Sequence, residues 1–457
     1  MKHIAVIDVG KTNVKVAIVE LEFFEEKHVL SIPNISIRSG HFLTFNTESI
    51  WDFICESLKE LSSKFKIDGI SVTTHGAAAV LIMEDGTYAG PIDYEDSKID
   101  AIAAEYSKIR PNFEETGSPH LAGGLNIGSQ LYCQFTQVPA LRERLLYIIT
   151  YPQFWGWKLT GNFATDITSL GCHSDLWSPR KNNFSNLVNK LKIQGKIPFP
   201  KKPNEIMGNL TEKVSQRIGL SRLPVSVGIH DSNASLVPHL LSQKSSFSVI
   251  STGTWVIVLS INGNKVELDQ TRDTLLNVNL LGQETPSARF MGGREYEIEA
   301  GRGIPNQKDM RQMLKDNLIL LPSIVNDVGP FQNCKQSWTP YMPRLGSGLR
   351  NLVVCCYLAM MTRECLNLVG HEGKIIVEGP FARNRQYINM LSVITKSEIL
   401  LSKSITGTTI GAAMLFLKED QKSNIKYDTV THIDSELSNF ARLWQQKIDL
   451  HRSNSVS

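Results

Sequence analysis

The chain has 457 residues, 42% of them apolar and 20% charged, the balance of a globular protein with room for two or three buried cores. A net charge of +3 leaves no basic footprint for nucleic acid or an anionic membrane. No apolar run is long enough to span a bilayer, and Met1-Lys2-His3 is too short a lead for a signal peptide. The seven cysteines show no CxxC spacing, which points to reduced structural thiols in a cytoplasmic protein, without zinc or a disulfide framework.

In chain order, residues 4–21 predict a β-hairpin whose apolar run ends at Asp8 and turns through Gly10-Lys11-Thr12-Asn13. A third strand is expected near 29–38. Residues 47–65 carry Ile50, Phe53, Ile54, Leu58 and Leu61 at helical spacing, with Thr47 as the expected N-cap. Strands follow at 67–74, ending at His75-Gly76, and at 77–83 before an Asp85-Gly86 turn. Helices are expected at 98–109 and 138–149, and residues 178–204, rich in Lys, Asn and Pro, read as an exposed excursion. A second hairpin is predicted at 246–260, turning at Thr252-Gly253-Thr254. Beyond it come strands near 275–281, 287–292, 374–378 and 399–401, and helices near 307–320, 349–369, from Asn384, and at 408–418. The polar tail after about 420 is expected to fray. Two lobes of similar element order result, with domains at 1–240 and 241–457 separated near Pro238 and the polar run 242–246.

The two Gly/Thr turns have the chemistry of an anion cradle. Glycine lets backbone N–H groups approach closely, and hydroxyls add donors. Gly10, Thr12, Asn13, Thr252, Gly253 and Thr254 are the phosphate candidates. Lys15 is in register with Asn13 on one face of its strand. Lys11 reads as a solvated turn lysine, because the earlier glycine of a phosphate-binding loop is missing. A carboxylate beside a polyphosphate is repelled unless a cation intervenes, so Asp8 is a candidate Mg²⁺ anchor, or else an Asp closing a turn. Asp231, in Gly228-Ile229-His230-Asp231-Ser232, sits where a strand meets a helix. There it is either a base that takes a proton from a hydroxyl or a helix cap. His75, Gly76 and Asp96, at strand ends, are the expected polyol contacts; a buried histidine and a capping aspartate are the alternatives. The small-residue turns at Gly379–Asn384 and Gly407–Gly411 admit a flat base or, equally, close helix packing.

Taken together and in this order, IDVGKTNVK, PIDYEDSK, YPQFWGWKLTGNFATDITS, GIHDSNAS, STGT, EGPFARNRQYINML and TGTTIGAAML resemble the FGGY carbohydrate kinases, over most of the chain. The resemblance implies an α/β fold of two ribonuclease H-like, actin-like ATPase domains with an interdomain cleft. The N-terminal domain would bind the sugar and the C-terminal one ATP. It implies Asp231 as catalytic base, and Gly379, Asn384, Gly407 and Gly411 around the adenosine. Asp96, Asp166 and Thr168 fall in the acidic and hydroxyl positions of their segments. The implied activity is transfer of the γ-phosphate of ATP, with Mg²⁺, to a hydroxyl of a ketose or polyol. An L-rhamnulose- or L-fuculose-like substrate is favoured, and a homodimer is the default assembly. Departures are Gly379-Pro380 in place of a Gly-Gly pair, a missing lysine in SQLYCQF, and FMGGREYEIEAG at 290–301, which has no obvious counterpart. A catalytically silent sugar-binding regulator and an actin-like ATPase without a sugar substrate are the alternatives.

Overall fold

The computed structural model describes residues 1–402, 407–417 and 426–455. They divide into two compact units. The first comprises Met1–Ser242, Leu276–Glu284 and the described part of Thr406–Ile425; the second comprises Gln243–Leu275 and the described parts of Thr285–Ile405 and Lys426–Ser457. The expected division at 240/241 assumed two continuous halves, whereas two later segments return to the first unit. Among the described residues no helix is long and apolar enough to cross a membrane.

The first unit is built on an antiparallel meander, β1 (His3–Val9), β2 (Asn13–Glu20) and β3 (Glu25–Pro33). Ile4 to Ile7 are fully buried, as a strand covered on both faces requires. Helix α1 (Thr47–Lys64) presses Ile50, Ile54, Leu58 and Leu61 into the core that also holds Val14 and Val16. Its N-cap is Asn46, one residue before the expected Thr47, because the Asn46 side chain reaches the Ser49 N–H. Strand β4 (Gly69–Thr74) lies parallel to β1, pairing Asp8 with Thr73. The helix expected at 98–109 is broken: α2 is only Ser97–Asp100, and a further helix starts at Ala103. The helix expected at 138–149 is one short turn, Ala140–Glu143, followed by a strand, Leu145–Thr150, where Tyr147, Ile148 and Ile149 favour extended backbone. Residues 178–204 are not a free excursion either: Leu187, Leu191, Ile193 and Ile197 are buried in a core cluster.

Short helix α3 (Ile167–Leu170) precedes β5 (Ile206–Asn209), β6 (Pro224–Ser226) and β7 (Ile229–His230). The sheet runs β5-β6-β4-β1-β2-β3, and β7 also pairs with β4. Helix α4 (Asp231–Ala234) starts immediately after β7.

The second unit repeats this plan. β8 (Phe247–Thr252) and β9 (Val256–Ile261) form the second hairpin, and β10 (Glu284–Phe290) extends it antiparallel. Helix α5 (Gly292–Glu299) follows, so the strand expected at 287–292 ends two residues early, at Phe290. Helix α6 (Gly348–Leu368) is buried on nearly all sides through its central apolar run, Leu352–Met361. β11 (Lys374–Glu378) runs parallel to β8. Helix α7 (Arg385–Thr395) and strand β12 (Ile399–Ser402) follow. Helix α8 (Gly407–Ala413) belongs to the first unit; Lys418, the expected end of that helix, lies outside the described residues. β13 (Tyr427–Val430) closes the second sheet against β12. The tail forms a long helix, α9 (Ser435–Ser455), instead of fraying, because Leu437, Phe440, Trp444 and Ile448 bury one face.

Candidate active site

In the first unit the β1–β2 turn is held from behind. Asn34 donates its side chain to the Gly10 carbonyl at 2.8 Å and its backbone N–H to the Thr12 carbonyl at 2.9 Å. The opposite, N–H, faces of those peptides therefore point away from Asn34. The Gly10 N–H itself is taken by the Asn13 carbonyl at 2.9 Å. Thr12 and Asn13 are exposed, and Lys15 lies opposite Asp8 in the hairpin register. Lys11 corrects the sequence reading. Its ammonium group contacts both oxygens of Asp93 at 2.5 Å and Glu95 at 3.3 Å, over the rings of Phe45 and Tyr94.

At the end of β4, His75 is buried against the rings of Phe45, Tyr94 and Tyr151. Its Nδ1 lies 2.7 Å from the Gly76 carbonyl. A carbonyl can only accept, so Nδ1 carries the proton. Burial holds the imidazole below its ordinary pKa and therefore neutral. Nε2 is thus an acceptor, and among the described residues it has no hydrogen-bond partner. Gly76 is required by packing, since a Cβ there would sit 2.5 Å from His230 Nε2.

Asp231 is the first residue of α4. Its Oδ1 accepts from the Ser232 N–H at 2.6 Å and lies 3.2 Å from His230 Nε2. Burial pushes His230 down to about 4, so this approach is that of a neutral ring, not an ion pair. The Asp231 side chain keeps 32% of its surface exposed and lies within electrostatic reach of His75. Burial raises its pKa, against the opposing pull of His75 and Ser232. Asp8 is pushed up to about 7, first by burial and next by the charge of Asp231, with Lys15 pulling it down. The two carboxylates and His75 thus share one electrostatic environment.

Asp96 departs from its expected role as a polyol contact. Its Oδ2 accepts from the Leu43 N–H at 2.6 Å and its Oδ1 caps α2 through the Lys98 N–H at 3.1 Å, and the residue is buried. Gly411, assigned to adenosine by the resemblance, has a packing role, and Gly407 begins the same helix. They lie on α8 in the first unit, and a Cβ on Gly411 would stand 1.8 Å from the Ala234 carbonyl.

In the second unit the β8–β9 turn borders a cavity of about 850 Å³, lined among others by Gly253, Thr254, Tyr296, Asn351, Phe381 and Asn384. Part of its wall is the FMGGREYEIEAG segment, folded as the end of β10 and α5. Thr252 and Gly379 hold the wall from outside. The Thr252 hydroxyl donates to the Glu378 carbonyl and accepts from the Phe381 N–H, so it is not a free phosphate donor. Gly379, at φ 80°, avoids a Cβ 2.0 Å from the Thr252 carbonyl, and Pro380 and Phe381 line the cavity after it. Asn384 caps α7 through the Tyr387 N–H at 3.1 Å.

The model of the FGGY N-terminal domain of carbohydrate kinases matches residues 3–238, and that of the FGGY C-terminal domain matches 244–424. The chain belongs to the FGGY family of carbohydrate kinases. As an FGGY kinase it is a phosphotransferase with an alcohol group as acceptor, on the two-domain actin-like fold. It is 28% identical to a carbohydrate kinase from Novosphingobium aromaticivorans, whose crystal structure superposes with a TM-score of 0.90 over 97% of this chain and all of that one. Among curated proteins it is 22% identical to a rhamnulokinase of Enterobacter sp. (strain 638), over 73% of this chain and 67% of that protein. An L-fuculokinase of Salmonella typhi is 25% identical over 57% of each chain. Plasmodium falciparum glycerol kinase, solved with ADP, shares the fold at a TM-score of 0.77 and 14% identity.

The sequence reading missed four residues of this kinase's candidate site. Asn34 and Asp93 are long-range partners of the first turn and left no local signal. His230, adjacent to Asp231 in GIHDS, was visible as a titratable neighbour. Tyr296 lay in the segment without a counterpart, and that novelty was itself the signal.

Proposed function

We propose that this FGGY kinase transfers the γ-phosphoryl group of ATP to a hydroxyl of a ketose or polyol, with an L-rhamnulose- or L-fuculose-like ketose favoured, and that Asp231 is the base. The observation that carries this reading is the partly exposed Asp231 carboxylate, electrostatically linked to a second, buried acceptor, the Nε2 of neutral His75, which is unpartnered among the described residues. Two acceptors suit a ligand that presents hydroxyl donors. Of the rings around His75, Phe45 and Tyr151 are buried, and that of partly exposed Tyr94 supplies apolar surface for the C–H face of a sugar. The curated rhamnulokinase and fuculokinase relatives favour the deoxyketoses.

In this mechanism the acceptor hydroxyl donates to Asp231, and the raised carboxylate pKa makes it the stronger base. As the sugar oxygen bonds to the γ-phosphorus, its proton passes to Asp231 and the bond to the β-phosphate oxygen breaks, releasing ADP. Adenosine is assigned to the cavity of the second unit, whose volume suits a ligand of that size. The exposed turns with Thr12, Asn13, Gly253 and Thr254 are assigned to the phosphates. A magnesium ion fits Asp8: a recessed carboxylate raised to about 7 beside a second carboxylate is an environment that a cation relieves. Among the described residues no cluster of three acidic, His or Cys groups could hold a metal, so Asp8 would be its protein anchor and water and phosphate its other ligands. The bound ion would neutralise charge on the transferring phosphates.

The test is an ADP-release screen across ketoses, deoxyketoses and pentitols, with the product identified by mass. A sugar-dependent signal and a product heavier by one phosphoryl group are expected, and both vanish in Asp231→Asn and Asp231→Ala while ATP binding persists. ADP release that ignores the sugar would mark an ATPase. Sugar binding without product would mark a silent regulator. Near-wild-type turnover in Asp231→Ala would remove Asp231 from the role of base.

A further inference from the structure

β7 is two residues long and delivers Asp231 directly from its end. A strand so short has few restraints of its own. It pairs with β4 through Ile229–Thr73 and His230–Thr74. On its other side the His230 N–H donates to the hydroxyl of Thr168, at 3.1 Å. That hydroxyl in turn donates to Asp166 Oδ2, which also accepts from the N–H groups of Thr168 at 2.8 Å and Ser169 at 3.1 Å. Asp166 and Thr168 have no exposed surface at all. Each hydrogen has one direction here. The carboxylate can only accept, so the Thr168 proton points to Asp166 and its lone pair is left for the His230 N–H.

A buried carboxylate is costly unless hydrogen bonds compensate it, and Asp166 Oδ2 accepts three. It thereby orders a hydroxyl whose remaining contact is the peptide that immediately precedes Asp231. Upstream, Gln153 fixes the same approach by donating to the Val227 carbonyl at 2.9 Å.

We propose that Asp166 and Thr168 are a positioning pair for Asp231, aiming its carboxylate at the acceptor hydroxyl by holding the peptide N–H of His230. The inference rests on the reading of Asp231 as base. Neither residue touches substrate, so the pair acts on the rate of the chemical step and not on binding. Displacement of a reacting group by about 1 Å lowers rates by up to ~100-fold.

The experiment uses Thr168→Val, which keeps the shape and removes the hydroxyl, and Thr168→Ser, which keeps the hydroxyl. kcat and the KM for ATP and for the best ketose are measured with the thermal midpoint of each variant. A kcat reduced ~10- to 100-fold in Thr168→Val is expected, with both KM values within about threefold and kcat restored in Thr168→Ser. Wild-type kcat in folded Thr168→Val overturns the proposal, as does a loss carried by KM or by the folded fraction alone. For a Thr168→Val chain that does not fold, Thr168→Ala against Thr168→Ser gives the same comparison. Asp231→Asn is run in parallel. If it keeps turnover, the base assignment has failed; if it is dead while Thr168→Val is fully active, only the positioning pair has failed.

Discussion

The ammonium group of Lys11 sits on the Asp93 carboxylate between two rings, and this arrangement sets what the residue can do. Burial alone would raise the Asp93 carboxyl, but Lys11 and Ser36 more than reverse it and hold it below the ordinary carboxylate value. Asp93 is 1% exposed, so it depends on that partner. Lys11→Met leaves a buried carboxylate with only Ser36 and the Glu95 N–H, and should destabilise the protein by about 2–3 kcal/mol, somewhat under the cost of breaking a fully buried pair because Lys11 is partly exposed. Thermal or urea unfolding measures it. An unchanged midpoint would mean that Lys11 is as solvated as its place in a turn suggests. The same residue ties the β1–β2 turn to the loop that leads into α2, so the side chain read as a solvated turn lysine joins two parts of the candidate site within one unit.

At the scale of elements, the contact of α8 with α4 is the tightest in the first unit's site. The Gly411 Cα faces the Ala234 carbonyl at a separation that no side chain fits, and the Ser71 hydroxyl holds the Ala412 carbonyl at 2.7 Å. Gly411→Ala must push α8 away from the short helix that begins with Asp231. It should cost about 1–3 kcal/mol of stability and lower kcat. Gly253→Ala, where the nearest atom to the new Cβ is 4.0 Å away, should leave the unfolding midpoint unchanged. Equal midpoints for the two variants would refute the packing account. This contact also marks what could be read from sequence. The hairpins, their parallel neighbours and the strand-to-helix position of Asp231 follow from periodicity and turn chemistry, which are local. Gly411 reads equally as a nucleotide-binding or a packing glycine, because the deciding atom, the Ala234 carbonyl, lies 177 positions away. Asp96 was ambiguous for a related reason: a cap and a ligand contact both call for a carboxylate after a turn, and only the Leu43 N–H on its second oxygen decides.

Across the molecule, buried ionisable groups oppose one another as pH changes. In the second unit Glu295, 1% exposed, is pushed up to about 7 by burial despite bonds from Tyr357 and Val325. His371 is pushed down to about 4, also by burial. In the first unit Asp8 and His230 form a similar opposed set. The signs follow from which state holds more protons. Between the unfolded glutamate value and about 7 the native chain keeps a proton on Glu295 that the unfolded chain has lost, so this group favours folding at low pH and the advantage is lost as pH rises to about 7. Between about 4 and the unfolded histidine value the unfolded chain protonates His371 and the native chain does not, so this group favours folding increasingly as pH rises. The wild-type profile over this window is a partial cancellation, and single variants expose the terms. Taking stability relative to wild type, Glu295→Gln should gain about 2–3 kcal/mol on going from pH 5 to pH 8, and His371→Gln should lose about 2 kcal/mol over the same interval. Urea titrations at the two pH values, with metal chelated so that Asp8 behaves alike in all samples, measure both differences. Parallel profiles for wild type and Glu295→Gln would mean that Glu295 is ionised in the native protein at neutral pH, and that its bonds to Tyr357 and Val325 outweigh its burial.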